Sequence, residues 1–242
     1  MSRPLSNAQI DRLGERLIAR DRPAESDLQL LHRLLASSGE VLDAAVERVR
    51  SELSLSPSFR LKNTGTILEK LRRQGSSGLR NMQDLAGMRI IGDWTLSEQD
   101  AIAAALVEQF SDETRRPKIV DRREHPSFGY RAVHVVVFPD QFPIEIQLRT
   151  RWQHEWADMF EKLADRLGRG IRYGGPPTPI AGAPGAAEAI VETAGRTSDL
   201  IHGIELESAA GESTESVERA ELRAAVDEVL RQLGEMPRLF PV

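Results

Sequence analysis

Apolar and polar residues alternate most regularly between residues 132 and 150. Valine recurs at every second position of 133–137, and isoleucine or leucine at every second position of 144–148. Side chains alternate between the two faces of a strand, so this period of two predicts strands at 132–138 and 142–150 with a turn at 139–141. The second strand then carries three polar side chains on its other face: Glu145, Gln147 and Arg149. Such a row indicates either a solvent-facing surface of the sheet or part of a binding or catalytic site.

A helical period describes most of the remaining chain. Residues 5–54 predict two or three amphipathic helices, with breaks at Pro23 and at 37–39. Further helices are predicted at 67–73 with Thr64 or Thr66 as N-cap, at 97–110 with Ser97 as N-cap, and at 152–167. A buried strand is predicted at 88–91, and a further strand at 118–120. This alternation of strands and helices predicts an α/β (α+β) fold.

Composition divides the chain into three parts. Residues 1–54 are predicted to be helices that pack on a core formed by residues 55–175. A Pro/Gly/Ala-rich run from Gly174 predicts a linker, so residues 176–242 form a helical appendage with helices at 187–206 and 214–233. This part has 5 Lys and Arg against 12 Asp and Glu, in a chain of net charge −5. The acidity therefore belongs to the tail, and the core does not repel anionic ligands.

The composition also excludes several classes of protein. The absence of cysteine rules out disulfides, thiolate metal sites and cysteine nucleophiles. No apolar run approaches the roughly 18 residues that span a bilayer, and the first residues lack the apolar segment of a secretory signal. We therefore expect a cytoplasmic protein without a membrane partner.

The charged residues of the core indicate a phosphate ligand. Arg60 and Lys62 lie two positions apart in an extended stretch, so they face the same way and repel each other unless an anion lies between them. A solvated edge strand is the alternative. Asp84 and Glu145 lie at or on strands, where a carboxylate can hold a turn or a metal. Carboxylates with several cations favour Mg²⁺ and a nucleoside triphosphate, although Walker A and Rossmann glycine motifs are absent.

Four blocks carry a family resemblance. FRLKNTGTILEKL (59–71) resembles R-x-K followed by Ser/Thr and Lys, and MQDLAGMRII (82–91) resembles D-(I/L)-x-G-x-R-(I/V)-(I/V). FGYRAVHVVV (128–137) resembles G-Y-(R/K)-(S/A)-(L/V)-H, and PIEIQLRT (143–150) resembles E-(I/V)-Q-(I/L)-R-T. Their order and spacing resemble the synthetase domain of RelA/SpoT-type alarmone synthetases, in a small single-domain member.

The resemblance implies a mixed sheet of the nucleotidyltransferase-like type, flanked by helices. It implies transfer of the β,γ-pyrophosphate of ATP to the 3′-hydroxyl of GDP or GTP, with release of AMP. Asp84 and Glu145 would be catalytic and hold Mg²⁺, with Glu145 as second ligand or as base. The residues on the ATP side would be Arg60, Lys62, Lys70 and Arg89. Those on the acceptor side would be Tyr130, stacking on the base, with His134, Gln147 and Arg149. Whether His134 reaches Glu145 depends on the register of the hairpin.

Other functions stay open. Many members have P-K-x-x-G-Y before the loop, and residues 125–130 lack that lysine. Some small members are toxins that pyrophosphorylate the tRNA 3′ end or make adenosine alarmones, and small members can be homo-oligomers. A tRNA surface could use seven arginines: Arg115, Arg116, Arg122, Arg123, Arg166, Arg169 and Arg172. A nucleotidyltransferase that releases pyrophosphate is a weaker alternative. A catalytically silent nucleotide-binding regulator is an alternative of another class, against which the presence of both Asp84 and Glu145 argues.

Overall fold

A computed structural model describes residues 5–74, 78–111, 115–209, 224 and 226–231. Within these residues the chain forms a mixed five-stranded sheet flanked by helices, which confirms the predicted fold class. The strands are β1 (Ser58–Leu61), β2 (Ala86–Gly92), β3 (Lys118–Asp121), β4 (Val133–Val137) and β5 (Ile144–Thr150). The helices are α1 (Asn7–Ile18), α2 (Glu25–Leu53), α3 (Thr64–Gln74), α4 (Gly78–Asn81), α5 (Leu96–Gln109), α6 (Arg151–Leu167) and α7 (Ala186–Ala209), with 3-10 turns at Pro139–Gln141 and Arg169–Tyr173.

The strand order is β1-β2-β5-β4-β3, so the predicted hairpin β4–β5 lies inside the sheet. Every residue of β4 is buried, whereas β1 and β3 form the exposed edges. β1 runs antiparallel to β2, with Arg60 opposite Gly87 and Ser58 opposite Arg89. On β5 the apolar positions 144 and 146 are buried and the polar positions 145 and 147 are partly exposed, as the alternation predicts.

Contacts between backbone positions divide the chain into two compact units, which we describe separately. Unit 1 is Met1–Ile90, Ile102–Val120 and His134–Leu148, and unit 2 is Ile91–Ala101, Asp121–Val133 and Arg149–Val242. The three-part division of the chain into residues 1–54, 55–175 and 176–242 stays a prediction. Within the described part of the chain, no helix is long and apolar enough to cross a membrane.

In unit 1, α2 is one helix of 29 residues. The predicted break at 37–39 is wrong, whereas the break near Pro23 falls between α1 and α2. The Ser38 hydroxyl donates to the carbonyl of Leu34, 2.9 Å away, so this serine is satisfied inside the helix. Gly39 faces Leu61 of β1, whose Cδ1 would lie 3.2 Å from an added Cβ. The small residues therefore serve close packing and do not end the helix.

In unit 2, α6 and α7 enclose an apolar core. Trp156 and Phe160 of α6 stack with ring centroids 4.8 Å apart. Val226 and Leu230, from the short helical stretch 226–231, are buried in the same core. α7 confirms the helix predicted at 187–206, and most of the helix predicted at 214–233 lies outside the described residues.

Two helix caps differ from the predictions. Thr95, and not Ser97, caps α5: its hydroxyl accepts from the Glu98 amide at 3.2 Å, and Glu98 Oε2 accepts from the Thr95 amide at 2.8 Å. This is a reciprocal capping box. Asn63 caps α3, because its Oδ1 accepts from the Thr66 amide at 2.8 Å, so neither predicted threonine is the cap. Both helices begin before the residues at which the apolar pattern predicted their start, at Thr64 instead of 67 and at Leu96 instead of 97.

Removing the hydroxyl of Thr95 tests this assignment. We expect Thr95→Ala to lower the free energy of unfolding by about 1 kcal/mol, the usual cost of losing an N-cap. Ser97→Ala is the comparison variant: the Ser97 hydroxyl lies 3.2 Å from that of Thr95 but does not accept from the Glu98 amide, so its removal should cost less than about 0.5 kcal/mol. Urea unfolding of both variants measures the difference, and a larger loss for Ser97→Ala would show that the cap is misassigned.

Candidate active site

A cavity of about 230 Å³ in unit 1 contains most of the residues that the sequence singles out. Its walls come from β1, the approach to β2, β2 itself and β5. The lining residues are Ser58, Phe59, Arg60, Lys62, Asp84, Gly87, Met88, Arg89, Glu145 and Gln147. The structure therefore brings both predicted carboxylates and three of the four predicted ATP-side cations to one place.

Asp84 is the anionic centre of the cavity. Lys62 Nζ lies 2.5 Å from one carboxylate oxygen, and Lys70 Nζ lies 2.8 Å from the other. Burial alone would raise the pKa of Asp84, but the hydrogen bonds and positive charges of the two lysines outweigh it and hold this pKa below its ordinary value. Asp84 is therefore ionised at neutral pH. Lys70 does not line the cavity itself but contacts the Asp84 carboxylate that does.

The carboxylate of Glu145 is held by two neighbouring side chains, His134 and Gln147. His134 Nδ1 lies 3.1 Å from its Oε1, and the amide of Gln147 donates to its Oε2 at 2.9 Å. Burial would raise the pKa of Glu145, but the contact with His134, followed by the Gln147 hydrogen bond, keeps the pKa below its ordinary value. The hairpin register thus places His134 beside Glu145, as the site hypothesis requires.

Arg60 and Arg89 supply positive charge on β1 and β2. The Arg60 side chain is exposed, whereas Arg89 is half-buried. Gly87 lies opposite Arg60 in the sheet and is close-packed, since an added Cβ would be 3.1 Å from the Glu145 carbonyl oxygen. Lys62 also lines the cavity, and Lys70 lies beside it on Asp84, so four cations lie in or next to the cavity against two carboxylates. A polyphosphate fits that balance.

The two carboxylates also suit a divalent cation. Among the residues that the structure describes, no three His, Cys, Asp or Glu side chains gather into a metal cage. Mg²⁺ does not need one, because it commonly binds one or two carboxylates together with substrate phosphates and waters. Asp84 and Glu145, both with a lowered pKa and lining one cavity, fit that role.

The other two acceptor-side residues, Tyr130 and Arg149, meet in unit 2. The Arg149 guanidinium donates to the Tyr130 hydroxyl at 3.0 Å and lies over the ring, 4.9 Å from its centroid. Arg149 is buried and Tyr130 is half-buried. The more exposed aromatic residue of this loop is Phe128, at 54% exposure, which the sequence reasoning missed.

The loop around Tyr130 is a tight, strained turn. The amides of Ser127 and Tyr130 each donate to the carbonyl of the other, at 3.2 and 3.1 Å. Phe128 and Gly129 both have positive φ, 54° and 85°. A Cβ on Gly129 would lie 2.7 Å from the Trp156 ring, so glycine is required there by conformation and by space. The Gly-Tyr motif is thus a backbone constraint as well as a source of an aromatic ring.

One of the seven arginines proposed as a tRNA surface does not fit that role. Arg123 is buried and its guanidinium binds Asp121 and Asp100, each at 2.5 Å. Its charge is therefore neutralised inside unit 2. Arg115, Arg116, Arg166 and Arg169 are exposed, with Arg169 3.4 Å from Asp165, and Arg122 and Arg172 are half-buried.

Comparisons with known proteins agree with this fold. Residues 59–164 match the family model described as a region found in RelA/SpoT proteins. Uncharacterized proteins of Mycobacterium tuberculosis and Mycobacterium bovis are 40% identical to the chain over 183 residues, which cover 74% of this chain. The chain spans 66% of the length of these relatives.

Solved structures extend the comparison to the fold. The crystal structure of small alarmone synthetase 1 from Bacillus subtilis, bound to its product pppGpp, has a TM-score of 0.57 at 20% identity, over 77% of this chain and 100% of that one. A second crystal structure of that protein has a TM-score of 0.50 at 23% identity, over 77% and 94%. The chain has the fold of the small alarmone synthetases. Its residues 59–164 carry the region found in RelA/SpoT proteins, which confirms the resemblance.

Substituting Gly129 tests the strained loop. Gly129→Ala should destabilise the protein through its positive φ and through the clash with Trp156. Gly182→Ala is the matched control, because Gly182 has φ +74° with nothing within 4 Å of its added Cβ. We expect thermal and urea unfolding to show a loss for Gly129→Ala that exceeds the control by about 1–3 kcal/mol, the usual cost of overpacking. Equal losses would show that Trp156 does not restrict this position.

Acid unfolding tests the ionised carboxylates. The pKa of Asp84 and of Glu145 is lower in the folded protein than the ordinary values of 3.8 and 4.5, so the unfolded chain binds more protons as the pH falls. Their contribution is complete above about pH 5 and is lost as the pH falls through the folded pKa values. We expect Asp84→Asn to be less stable than wild type at pH 7 and to lose less stability on acidification.

Urea unfolding at steps from pH 7 to the lowest pH at which the protein stays folded measures this effect. Glu161→Gln is the control, because Glu161 is an exposed carboxylate on α6. Its stability should follow the wild-type curve. Parallel curves for wild type and Asp84→Asn would show that the lysine contacts do not lower the pKa of Asp84.

Proposed function

We propose that the protein is an ATP:nucleotide 3′-pyrophosphotransferase that uses GDP or GTP as acceptor and releases AMP. The RelA/SpoT region and the fold support this proposal, as does the description of the Bacillus subtilis structure as bound to its product pppGpp. The observation that carries it is that Asp84 and Glu145 line the same cavity as Arg60, Lys62 and Arg89.

Pyrophosphoryl transfer needs positioning and charge neutralisation more than covalent chemistry. The cations of the cavity bind the phosphate oxygens and compensate their negative charge as it redistributes in the transition state. Arg60 is the most exposed of the cations that line the cavity and suits the outermost phosphate. A bound Mg²⁺, held by Asp84 and Glu145, would add charge neutralisation for the same phosphates.

Glu145 receives the proton of the attacking hydroxyl in this proposal. The 3′-oxygen of the acceptor forms a bond to the β-phosphorus of ATP, the bond from that phosphorus to the α,β-bridging oxygen breaks, and AMP leaves with that oxygen. A carboxylate with a low pKa is a weak base toward a ground-state alcohol. Glu145 therefore orients the hydroxyl first and takes its proton as the new bond forms, while His134 and Gln147 fix the carboxylate in place.

Tyr130 provides the stacking surface for the acceptor base. Its ring is polarised and fixed by Arg149, which contacts both the hydroxyl and the ring face. Stacking on an aromatic ring is tolerant of base identity. The choice between guanine and adenine nucleotides, or the tRNA end, must therefore depend on polar contacts other than the stack.

Transfer of label from ATP tests the proposal directly. The purified chain, with Mg²⁺ and ATP labelled at the γ-phosphate, is offered GDP, GTP, ATP and bulk tRNA in separate reactions. We expect label on GDP or GTP with an equal amount of AMP. Glu145→Gln should lower the rate by at least about 100-fold, the usual contribution of a general base. Glu161→Gln, the exposed control, should keep the wild-type rate.

The other outcomes identify the alternative functions. Label only on tRNA or on an adenine nucleotide would show that the acceptor is not a guanine nucleotide, while the pyrophosphoryl transfer itself would stand as proposed. Free pyrophosphate without transfer to an acceptor would indicate a nucleotidyltransferase. ATP binding without AMP release under any condition would contradict the enzyme proposal and favour a nucleotide-binding regulator. Oligomeric state and a cytoplasmic location stay predictions.

A further inference from the structure

Helix α7 contacts the back of the Tyr130 loop. The helix spans Ala186–Ala209 and therefore lies beyond residues 59–164, the part of the chain that matches the RelA/SpoT region. Both α7 and the loop belong to unit 2. The contacts between them concentrate on two consecutive residues of the helix, Ser198 and Asp199.

Ser198 lies at the centre of these contacts. Its hydroxyl donates to the carbonyl of Gly129 at 2.5 Å and accepts from the Arg131 Nε at 3.2 Å. Ser198 and Arg131 are both buried, at 3% and 7% exposure. One hydroxyl thus satisfies a buried carbonyl and a buried guanidinium on the two sides of Tyr130. Replacing it by a methyl group would leave both without that partner.

Asp199 makes a weaker contact with the same loop. Its carboxylate accepts from the Arg131 Nη2 at 2.7 Å, but the Asp199 side chain is 71% exposed. Solvent screens an ion pair so exposed, and its contribution is small. The buried hydroxyl of Ser198 therefore carries most of the coupling between helix and loop.

A third contact fixes the wall under Gly129. The Trp156 indole N–H donates to the carbonyl of Ala194 on α7 at 2.7 Å, and the Trp156 ring occupies the space into which a Gly129 side chain would extend. Residues with positive φ persist only where their surroundings hold them. For Gly129 those surroundings include α6 and α7.

We propose that Ser198, assisted by Asp199, is a positioning residue that holds the 127–131 loop in the conformation that presents Tyr130 to the acceptor nucleotide. This inference rests on the proposed acceptor role of Tyr130. Acceptor binding would then depend on a helix outside the RelA/SpoT region, whereas ATP binding would depend on unit 1 residues inside it. Ser198 itself contacts no substrate in this proposal.

Steady-state kinetics separates positioning from general stability. We expect Ser198→Ala to raise KM for the guanine acceptor about tenfold, in line with the loss of a buried hydrogen bond, and KM for ATP by less than about twofold. Asp199→Ala should raise the acceptor KM by only about twofold to threefold. Thr197→Val is the matched control: its buried hydroxyl donates to the Thr193 carbonyl of the same helix and does not contact the loop.

Three results would overturn the proposal: an equal rise of both KM values, no rise of the acceptor KM, or the same acceptor effect in Thr197→Val. If Ser198→Ala fails to fold, Ser198→Cys decides, because its thiol fills the space of the hydroxyl but is only a weak donor and acceptor. A rise of the acceptor KM alone supports the proposal, and its absence contradicts it.

Hydrogen–deuterium exchange tests the positioning independently of activity. The amides of Ser127 and Tyr130 are hydrogen-bonded within the loop, so they should exchange slowly in wild type and in Thr197→Val, and faster in Ser198→Ala. Faster exchange in a protein that transfers to no acceptor would refute the proposed function and leave the structural role of Ser198 standing. Unchanged exchange in an active protein would refute the positioning role alone.

Discussion

The candidate active site depends on one shared carboxylate. Asp84 lies just before β2 and binds Lys62, which follows β1, and Lys70, which lies on α3. Two partly buried lysines so close together would repel each other. That repulsion would destabilise the packing of α3 against the end of β1. The carboxylate between them converts this repulsion into a link between three elements. It also keeps two cations beside the cavity that are drawn toward any phosphate bound there.

Local patterns predicted the parts of the fold and site that depend on local geometry. The period of two at 144–148 placed Glu145 and Gln147 on the face opposite the buried residues, because strand geometry alone fixes that face. The contact of His134 with Glu145 needed the hairpin register in addition. The same reasoning failed at residues 37–39, where Gly39 accommodates Leu61. That contact joins positions 22 apart and leaves no local signal.

Long-range partners explain the other differences from the sequence predictions. Nothing in the local pattern shows that Arg123 is buried against Asp100, or that Lys70 shares Asp84 with Lys62. Nor does it show that Ser198 contacts Gly129, 69 positions earlier. A charged side chain has the same sequence signal whether it is solvated or paired. Its role is decided by which opposite charge the fold brings to it, and only the structure supplies that information.

The two halves of the proposed reaction are supported by different physical means. The ATP side relies on charge, since its cations and carboxylates hold one another through ion pairs that a polyphosphate can rearrange. The acceptor side relies on backbone shape, since the Tyr130 loop contains two positive φ values and is fixed by the buried hydroxyl of Ser198. Ion pairs adjust to a ligand over a range of positions, whereas a strained turn allows few conformations. The acceptor side is therefore the more sensitive to small changes in packing, and we expect acceptor preference to vary with residues behind the loop as well as with residues that touch the nucleotide.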